Sequence, residues 1–369
     1  MKIVSSHRPA KEQVHPGMDA IQDEVDYLCD ASFKDIIVAH LLCLLRYPYR
    51  YLKSLFLIFF MQEGRLTSLK HISGAALVLR RCSGSGDHMW IHSHFTYGAT
   101  AIALWIKRIA GCPYSLTLHG SDLIFDNPPD LAAKLQEADA VICISQFNAD
   151  YVKSHFPAVA EQRLIVLPLG VEPLGSPPNL ASRAKKKPFR ILSVGRLSTQ
   201  KAQEYLVRAC AILRDQGLAF ECLLVGEGPQ RSLLEKEIKG FGLEAQIHLT
   251  GAKYHHEVLE MYQDADLFVM CSVAEGMPIV LMEAMQAGVP VLSTSISGIP
   301  ELLDHGNAGI LVPPADAEAL ADAVRGVIEG DIDIAALKQS ALNHIATHFD
   351  QGTNAVRFKQ LLERLANDV

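Results

Sequence analysis

The sequence predicts an α/β chain made of two parallel-sheet domains, and three observations carry that prediction. From residue 88 onward short apolar runs alternate with helical patterns; a stretch rich in Pro, Ser and Lys, "EPLGSPPNLASRAKKKP" (172–188), interrupts them; and the alternation then restarts. Strands alternating with helices in this way form right-handed βαβ units on a parallel sheet. A length of 369 residues suits two such domains, each able to bury its own core.

In the first half the alternation runs through "MWIHSHF", "ATAIALWIKRIAG", "YSLTLHG", "DLAAKLQEADA", "AVICIS", "QFNADYVKSHF" and "RLIVLPLGV". Ahead of it lies "IIVAHLLCLLRYPYRYLKSLFLIFFM" (36–61), whose uncharged runs of about 10 residues are too short for the ~20 that a membrane helix needs. Arg46, Arg50 and Lys53 recur there at i, i+4 and i+7, among Tyr47, Tyr49 and Tyr51. That pattern suits either a basic strip lying on an anionic membrane surface or a pair of core helices broken near Pro48.

After the linker come "FRILSVGRL", "AQEYLVRACAILRDQG", "FECLLVGEGP", "QRSLLEKEIKGFG", "AQIHLTG", "HHEVLEMYQDA", "DLFVMCS", "EGMPIVLMEAMQAG", "VPVLSTS" and "AGILVPP". They read as a second Rossmann-like domain, whose ligands belong at the carboxyl ends of its strands. The expected boundaries are 1–172 for the first domain, 173–188 for the linker, 189–345 for the second, and 346–369 for a terminal helix packing back on the first.

Composition excludes some classes. Hydrophobic content of 49% with 20% charged residues is globular, and a net charge of −7 gives no reason to expect nucleic acid. Residues 1–110 hold 13 Lys or Arg against 9 Asp or Glu, a balance of +4 that leaves −11 for the rest, so the two halves face different partners. The eight cysteines form no CxxC pair and read as reduced core residues, with no zinc site. The start "MKIVSSHRPAKEQVHPG" lacks the basic head and apolar run of a signal peptide, so the expected location is cytoplasmic.

The chemistry concentrates in "EGMPIVLMEAMQAGVPV" (275–291). Pro278 suits a helix's first turn, where a missing N–H does no harm. Glu275 then sits in the loop above a strand's carboxyl end. In the helix Val280, Ala284 and Ala287 share one apolar face, widened by Leu281 and Met285, while Glu283 falls with Ile279 and Gln286 on a narrow polar strip. Two carboxylates flank a helix N-terminus, with Gly276 permitting close approach of a phosphate or a sugar edge. Taken alone, Glu275 as an electrostatic cap and Glu283 as a solvated side chain explain the pair equally well. "VGRLSTQK" (194–201) adds Gly195, Arg196 and Lys201 at another strand end, two cations suited to a diphosphate.

With these motifs in order, residues 88–369 resemble the retaining family 4 glycosyltransferases of the two-Rossmann GT-B fold, whose domains face each other across a cleft. The family's Glu, seven residues, Glu pattern matches Glu275 and Glu283, and its Gly-Arg-Leu then Lys pattern matches Gly195, Arg196, Leu197 and Lys201; "LLVGEGP", "IHLTG" and "GIPELL" match further stretches. The resemblance implies that Glu283 holds the ribose hydroxyls, Glu275 contacts the transferred sugar, and Arg196 with Lys201 holds the leaving diphosphate. It makes Gly276, Met277, Pro278 and Ile279 donor-binding, and His119 of "LTLHGSD" a group near the donor sugar. A UDP- or GDP-linked sugar is the implied co-substrate, a glycan or lipid-linked saccharide the acceptor, with no metal and no separate cofactor. The implied setting is bacterial exopolysaccharide or lipopolysaccharide synthesis.

Other features point elsewhere. His92 and His94 of "IHSHF" suit strand packing or acceptor contact rather than a metal. "VGEGP" suggests the Gly-x-Gly turn of a nicotinamide-dependent oxidoreductase, but Arg231 stands where a third glycine belongs. Ala202 occupies the family's usual glycine after the loop lysine, which weakens binding if the N–H there must approach phosphate closely and is harmless if it merely opens a helix. "IVSSHRP" resembles the end of the family's second strand, so the first β-α unit is expected to be missing. A catalytically impaired sugar-nucleotide-binding or membrane-docking protein, self-associating through residues 1–70, is the alternative.

Overall fold

The computed structural model describes residues 2–9, 21, 24–60, 64–82, 89–126, 128, 130–174 and 188–367, so most of the expected linker, 175–187, lies outside the described residues. The chain divides into two units. The first comprises Met1–Cys143, Ala149–Ile165 and Gln360–Val369, the second Ile144–Asn148 and Val166–Lys359.

In the first unit β1 (Ile3–Ser5) and β2 (Val25–Tyr27) pair in parallel as a two-stranded sheet. A separate sheet joins β3 (Ile91–His94), β4 (Tyr114–Leu118), β5 (Ala140–Cys143) and β6 (Leu164–Val166) in that order. Between the two lie helices α1 (Phe33–Arg46), α2 (Pro48–Phe60) and α3 (Arg65–Cys82). α1 starts at a capping box, in which the Ser32 hydroxyl accepts from Asp35 N–H and the Asp35 carboxylate accepts from Ser32 N–H. It stops before Pro48, whose missing N–H costs nothing where α2 begins. The break expected near Pro48 is therefore present. Ala39 and Cys43 of α1, Tyr51 and Ile58 of α2, Ile72 of α3 and Trp105 share one buried cluster.

The second unit is one parallel sheet of β7 (Phe189–Val194), β8 (Phe220–Val225), β9 (Ile247–Gly251), β10 (Leu267–Met270), β11 (Val291–Thr294) and β12 (Ile310–Val312), in the order β12-β11-β10-β7-β8-β9. Successive side chains go to opposite faces: Ile191, Leu267 and Val269 join one core, Leu192, Phe268 and Met270 the other. Helices cover both faces, which is why these strands read as unbroken apolar runs.

Two expectations need correction. Cys43, Cys143, Cys210, Cys222 and Cys271 are buried free thiols as expected, but Cys29 is exposed, because it lies in the turn after β2 rather than in an apolar run. The terminal helix expected over 346–369 is also displaced: it runs Gln351–Asn367, while Ile334–His348 is a separate helix, and Asp350 bridges Val171 between them.

Candidate active site

β7 and β10 are neighbours, so the loops that follow them run side by side at the carboxyl edge of the second unit's sheet. Val273 N–H donates to the Gln200 carbonyl at 2.9 Å and the Cys271 thiol to that of Lys201 at 3.4 Å. At this seam Lys201 Nζ donates to Glu275 Oε1 at 2.5 Å, and Ser272 Oγ donates to the same oxygen at 2.6 Å. The side chains are 23% and 11% exposed, so each charge relies on the other. Ser272 was not singled out by the sequence; a serine closing a strand carries no signal of its own.

The glycines around this seam have different reasons. A Cβ on Gly226 would lie 2.0 Å from the Gly195 carbonyl oxygen, and one on Gly228 2.2 Å from that of Leu197. These two glycines let the loop after β8 press against the loop after β7, where Leu197 N–H donates to Glu227 O and Gln230 N–H to Leu197 O, both at 3.0 Å. Backbone packing thus accounts for the Gly-x-Gly turn that suggested a nicotinamide site. A Cβ on Gly195 would instead make only ordinary 3.5 Å contact with Lys201. Arg196 is exposed, and no carboxylate among the described residues pairs with it. Its carbonyl accepts from Gln203 Nε2 at 3.1 Å.

Ala202 does open a helix, Gln203–Asp215, but with φ 51° and ψ 38°, in the left-handed region that favours glycine. Its N–H donates to the Ser198 carbonyl at 3.1 Å, so the residue opens the helix, but in a backbone conformation that the family's usual glycine adopts without strain.

Helix Ile279–Gln286 follows Pro278, which caps it rather than sitting in its first turn. Leu281, Met282, Ala284 and Met285 are its buried residues. Val280 and Ala287 are only half-buried, so the apolar face is rotated toward Met282 from the expected one. Glu283 does lie on the less buried strip with Ile279 and Gln286. Its carboxylate accepts from Tyr262 Oη at 3.2 Å and pairs with His255 Nε2 at 2.9 Å. Both partners come from helix His255–Asp264, seven positions apart and hence on one face. Burial first, then the charge and hydrogen bond of Glu283, raise the Tyr262 pKa, so it stays a neutral donor. The helical spacing was readable, but which helix it meets was not. Gly276, Met277 and Pro278 are buried. The Gly276 carbonyl lies 3.0 Å from where a Gly298 Cβ would be.

His119 belongs to the first unit, just past β4. Its Nε2 lies 3.1 Å from His94 Nδ1, and Phe95 stacks on its ring at 4.0 Å. The His119 backbone N–H donates to Asp122 Oδ1 at 2.9 Å, while the Thr96 backbone N–H donates to Oδ2 at 2.9 Å. Burial, helped by the charge of His94, pulls the His119 pKa down to about 4, and burial with both neighbouring histidines takes His92 to about 3. The imidazoles of His92 and His119 are therefore neutral near pH 7. His92 bonds Ser115 Oγ at 2.8 Å and Thr117 Oγ1 at 3.1 Å, a strand-packing role. No group of three or more His, Cys, Asp or Glu among the described residues could hold a metal ion.

Residues 180–344 match the family described as Glycosyl transferases group 1, and residues 39–173 match Glycosyltransferase Family 4. Among curated relatives, the chain is 32% identical to the amylovoran biosynthesis glycosyltransferase AmsK of Erwinia amylovora, over 74% of this chain and 69% of that one. It is 31% identical to the putative colanic acid biosynthesis glycosyltransferase WcaL of Escherichia coli, over 70% of this chain and 64% of the relative, less than two thirds of its length. Among solved structures, sucrose-phosphate synthase from Thermosynechococcus elongatus superposes with a TM-score of 0.71 at 21% identity, covering 82% of this chain and 79% of the other. HepE from Anabaena, solved with UDP, gives 0.67 at 22% identity, covering 78% and 82%. These structural likenesses establish the fold, GT-B.

Proposed function

We propose that this chain, which belongs to the group 1 and family 4 glycosyltransferases, moves a sugar from a nucleotide-sugar donor onto a glycan or lipid-linked acceptor in bacterial surface polysaccharide synthesis, with retention at the anomeric carbon. The observation that carries this reading is the Lys201–Glu275 pair, held between two laced loops beside Gly195 at the switch point of the sheet. One relative is named for amylovoran biosynthesis, and a structural neighbour was solved with UDP, which supports a nucleotide-linked donor.

In this reading the diphosphate lies over Gly195, where no packing requires the absence of a side chain, and takes Arg196 and Lys201 as counter-charges. Lys201 exchanges Glu275 for phosphate, which frees that carboxylate for the sugar hydroxyls. Glu283, aligned by Tyr262 and His255, accepts from the ribose hydroxyls. His119 acts as a neutral hydrogen-bonding imidazole at the donor sugar. The bond from the anomeric carbon to the diphosphate oxygen breaks through an oxocarbenium-like state, the acceptor oxygen bonds the same face, and its proton passes to the departing diphosphate. Growing charge on that leaving group is what Arg196 and Lys201 stabilise.

Turnover of a UDP- and GDP-sugar panel with a lipid-linked saccharide acceptor, with the product anomer read by NMR, tests this. Neutralising Arg196 or Lys201 should lower kcat more than donor affinity. Equal losses in both would restrict the two cations to binding, and an inverted product would remove retention.

A further inference from the structure

In the first unit the loops after β3 and β4 carry a strained residue and a buried ionic network that all bear on one imidazole. Phe95, directly after β3, has φ 62°, a left-handed conformation that a bulky side chain adopts only under constraint. Hydrogen bonds impose it: the Phe95 N–H donates to the Thr117 carbonyl at 2.9 Å, and the Phe95 carbonyl accepts from Thr100 Oγ1, which lies 2.8 Å from Ser93 Oγ. Strain of this kind persists where the surroundings over-determine it, and it clusters at functional sites. The Phe95 ring is exposed rather than in the core, and it stacks on the His119 ring with centroids 4.0 Å apart and planes inclined by 25°.

Thr96 follows, held at every polar atom. Its backbone N–H donates to Asp122 Oδ2 and its hydroxyl to the Asp122 carbonyl, both at 2.9 Å, and its carbonyl accepts from Lys134 Nζ at 2.5 Å. Asp122 and Lys134 are both buried, which is tolerable only because each is hydrogen-bonded. Asp122 also accepts from the His119 backbone N–H, so one carboxylate fastens the two loops to each other.

The imidazole in this frame has one nitrogen occupied. His119 Nε2 lies 3.1 Å from His94 Nδ1, and among the described residues no hydrogen bond reaches His119 Nδ1. Burial lowers the pKa of both rings, so near pH 7 each carries a single N–H. A neutral imidazole has one donor and one acceptor nitrogen, and the bond made at one fixes the role of the other. The histidine side chain favours the proton on Nε2. Both rings keep that tautomer only if His119 Nε2–H donates to His94 Nδ1.

We propose that His94 and Phe95 are positioning residues for His119: the His94 Nδ1 lone pair holds the His119 proton on Nε2, which leaves His119 Nδ1 as an acceptor for a sugar hydroxyl, while the Phe95 ring fixes the imidazole plane. The inference rests on the reading of His119 as a group at the donor sugar, and adds which nitrogen acts and what aligns it.

Nitrogen NMR spectra of the whole chain labelled at histidine, near pH 7 and without any donor, read the tautomer; His119→Asn identifies the His119 signals. A single Nε2–H tautomer is expected in the wild type and in His94→Asn, whose amide keeps an acceptor where Nδ1 stood. His94→Leu and Phe95→Gly should each give a tautomer mixture. Turnover of the donor that the wild type uses from the UDP- and GDP-sugar panel is the second readout. His94→Leu and Phe95→Gly should each lower kcat about tenfold with donor KM unchanged, and His94→Asn and Phe95→Tyr should hold it within about threefold of the wild type. Phe95→Gly should melt no lower than the wild type, because glycine adopts φ 62° without strain, so its lost turnover is not a lost fold. An Nδ1–H tautomer in the wild type, a wild-type spectrum in His94→Leu or Phe95→Gly, or full kcat in both variants would overturn the proposal. A wild type that turns over no donor of the panel defeats the transfer reading instead, and the spectra still decide the roles of His94 and Phe95.

Discussion

The two units use the same parallel-strand logic on different sheets. In the second unit the first strand in the chain, β7, stands at the middle of six, between β10 and β8, so loops from both halves of the domain meet beside it. Lys201 and Glu275 find each other there. In the first unit β1 pairs with β2 and β3 with β4, and no described strand joins the two sheets. What holds that region is helix packing: α1, α2 and α3 with Trp105 in one cluster. A central strand in this place brings functional loops from both halves of the domain into register, which the β1–β2 pair does not do.

The largest test of that contrast compares strands directly. Phe268 of β10 is fully buried, and Phe268→Ala should cost about 3–5 kcal/mol by urea denaturation. Val4 of β1 is 36% exposed, and Val4→Ala should cost under about 1 kcal/mol. Comparable losses at the two positions would break the contrast.

The laced loops predict the next effect. Gly226 has φ 144° and no room for a Cβ beside the Gly195 carbonyl, so Gly226→Ala should lose about 2–4 kcal/mol and displace the Arg196 loop. Thermal denaturation gives the first, and donor titration the second.

In the first unit the corresponding sensitivity is to acid. The His92 and His119 pKa values are lowered in the folded state, to about 3 and about 4, so the unfolded chain binds more protons once pH falls below the ordinary histidine value of 6.5. Stability is then lost as pH falls from 6.5 toward those values, by up to about 1.4 kcal/mol per pH unit for each imidazole. His92→Asn should flatten the slope of denaturant stability between pH 6.5 and 5.

The smallest effect is at Ala202. Ala202→Gly removes the left-handed strain at the start of helix Gln203–Asp215 and should add about 0.5–1 kcal/mol after the entropy of glycine is counted.

How legible all this was depended on the range of the interaction. Unbroken apolar runs disclosed the strands of the second unit, and helical spacing placed Glu283 on its less buried strip. Glu275 and Lys201 were singled out one at a time, yet 74 positions separate them, and their ion pair depends on β7 lying against β10. Tyr262 and His255 were invisible as partners of Glu283 for the same reason. The conformation of Ala202 was hidden because periodicity reports faces, not the sign of φ. The sequence left α1 and α2 open between a surface strip and core helices, because apolar spacing cannot tell which of two faces is covered.

The central claim is that the second unit holds the nucleotide end of the donor through Glu283. Calorimetric titration of UDP and GDP, and of their glucose and mannose conjugates, into the wild type and Glu283→Ala measures it most directly. Loss of roughly 1.5–3 kcal/mol of affinity in a variant that melts like the wild type is the predicted result, the range for a hydrogen bond to a charged group. Unchanged affinity in that folded variant would remove Glu283, and the strip that carries it, from the donor site.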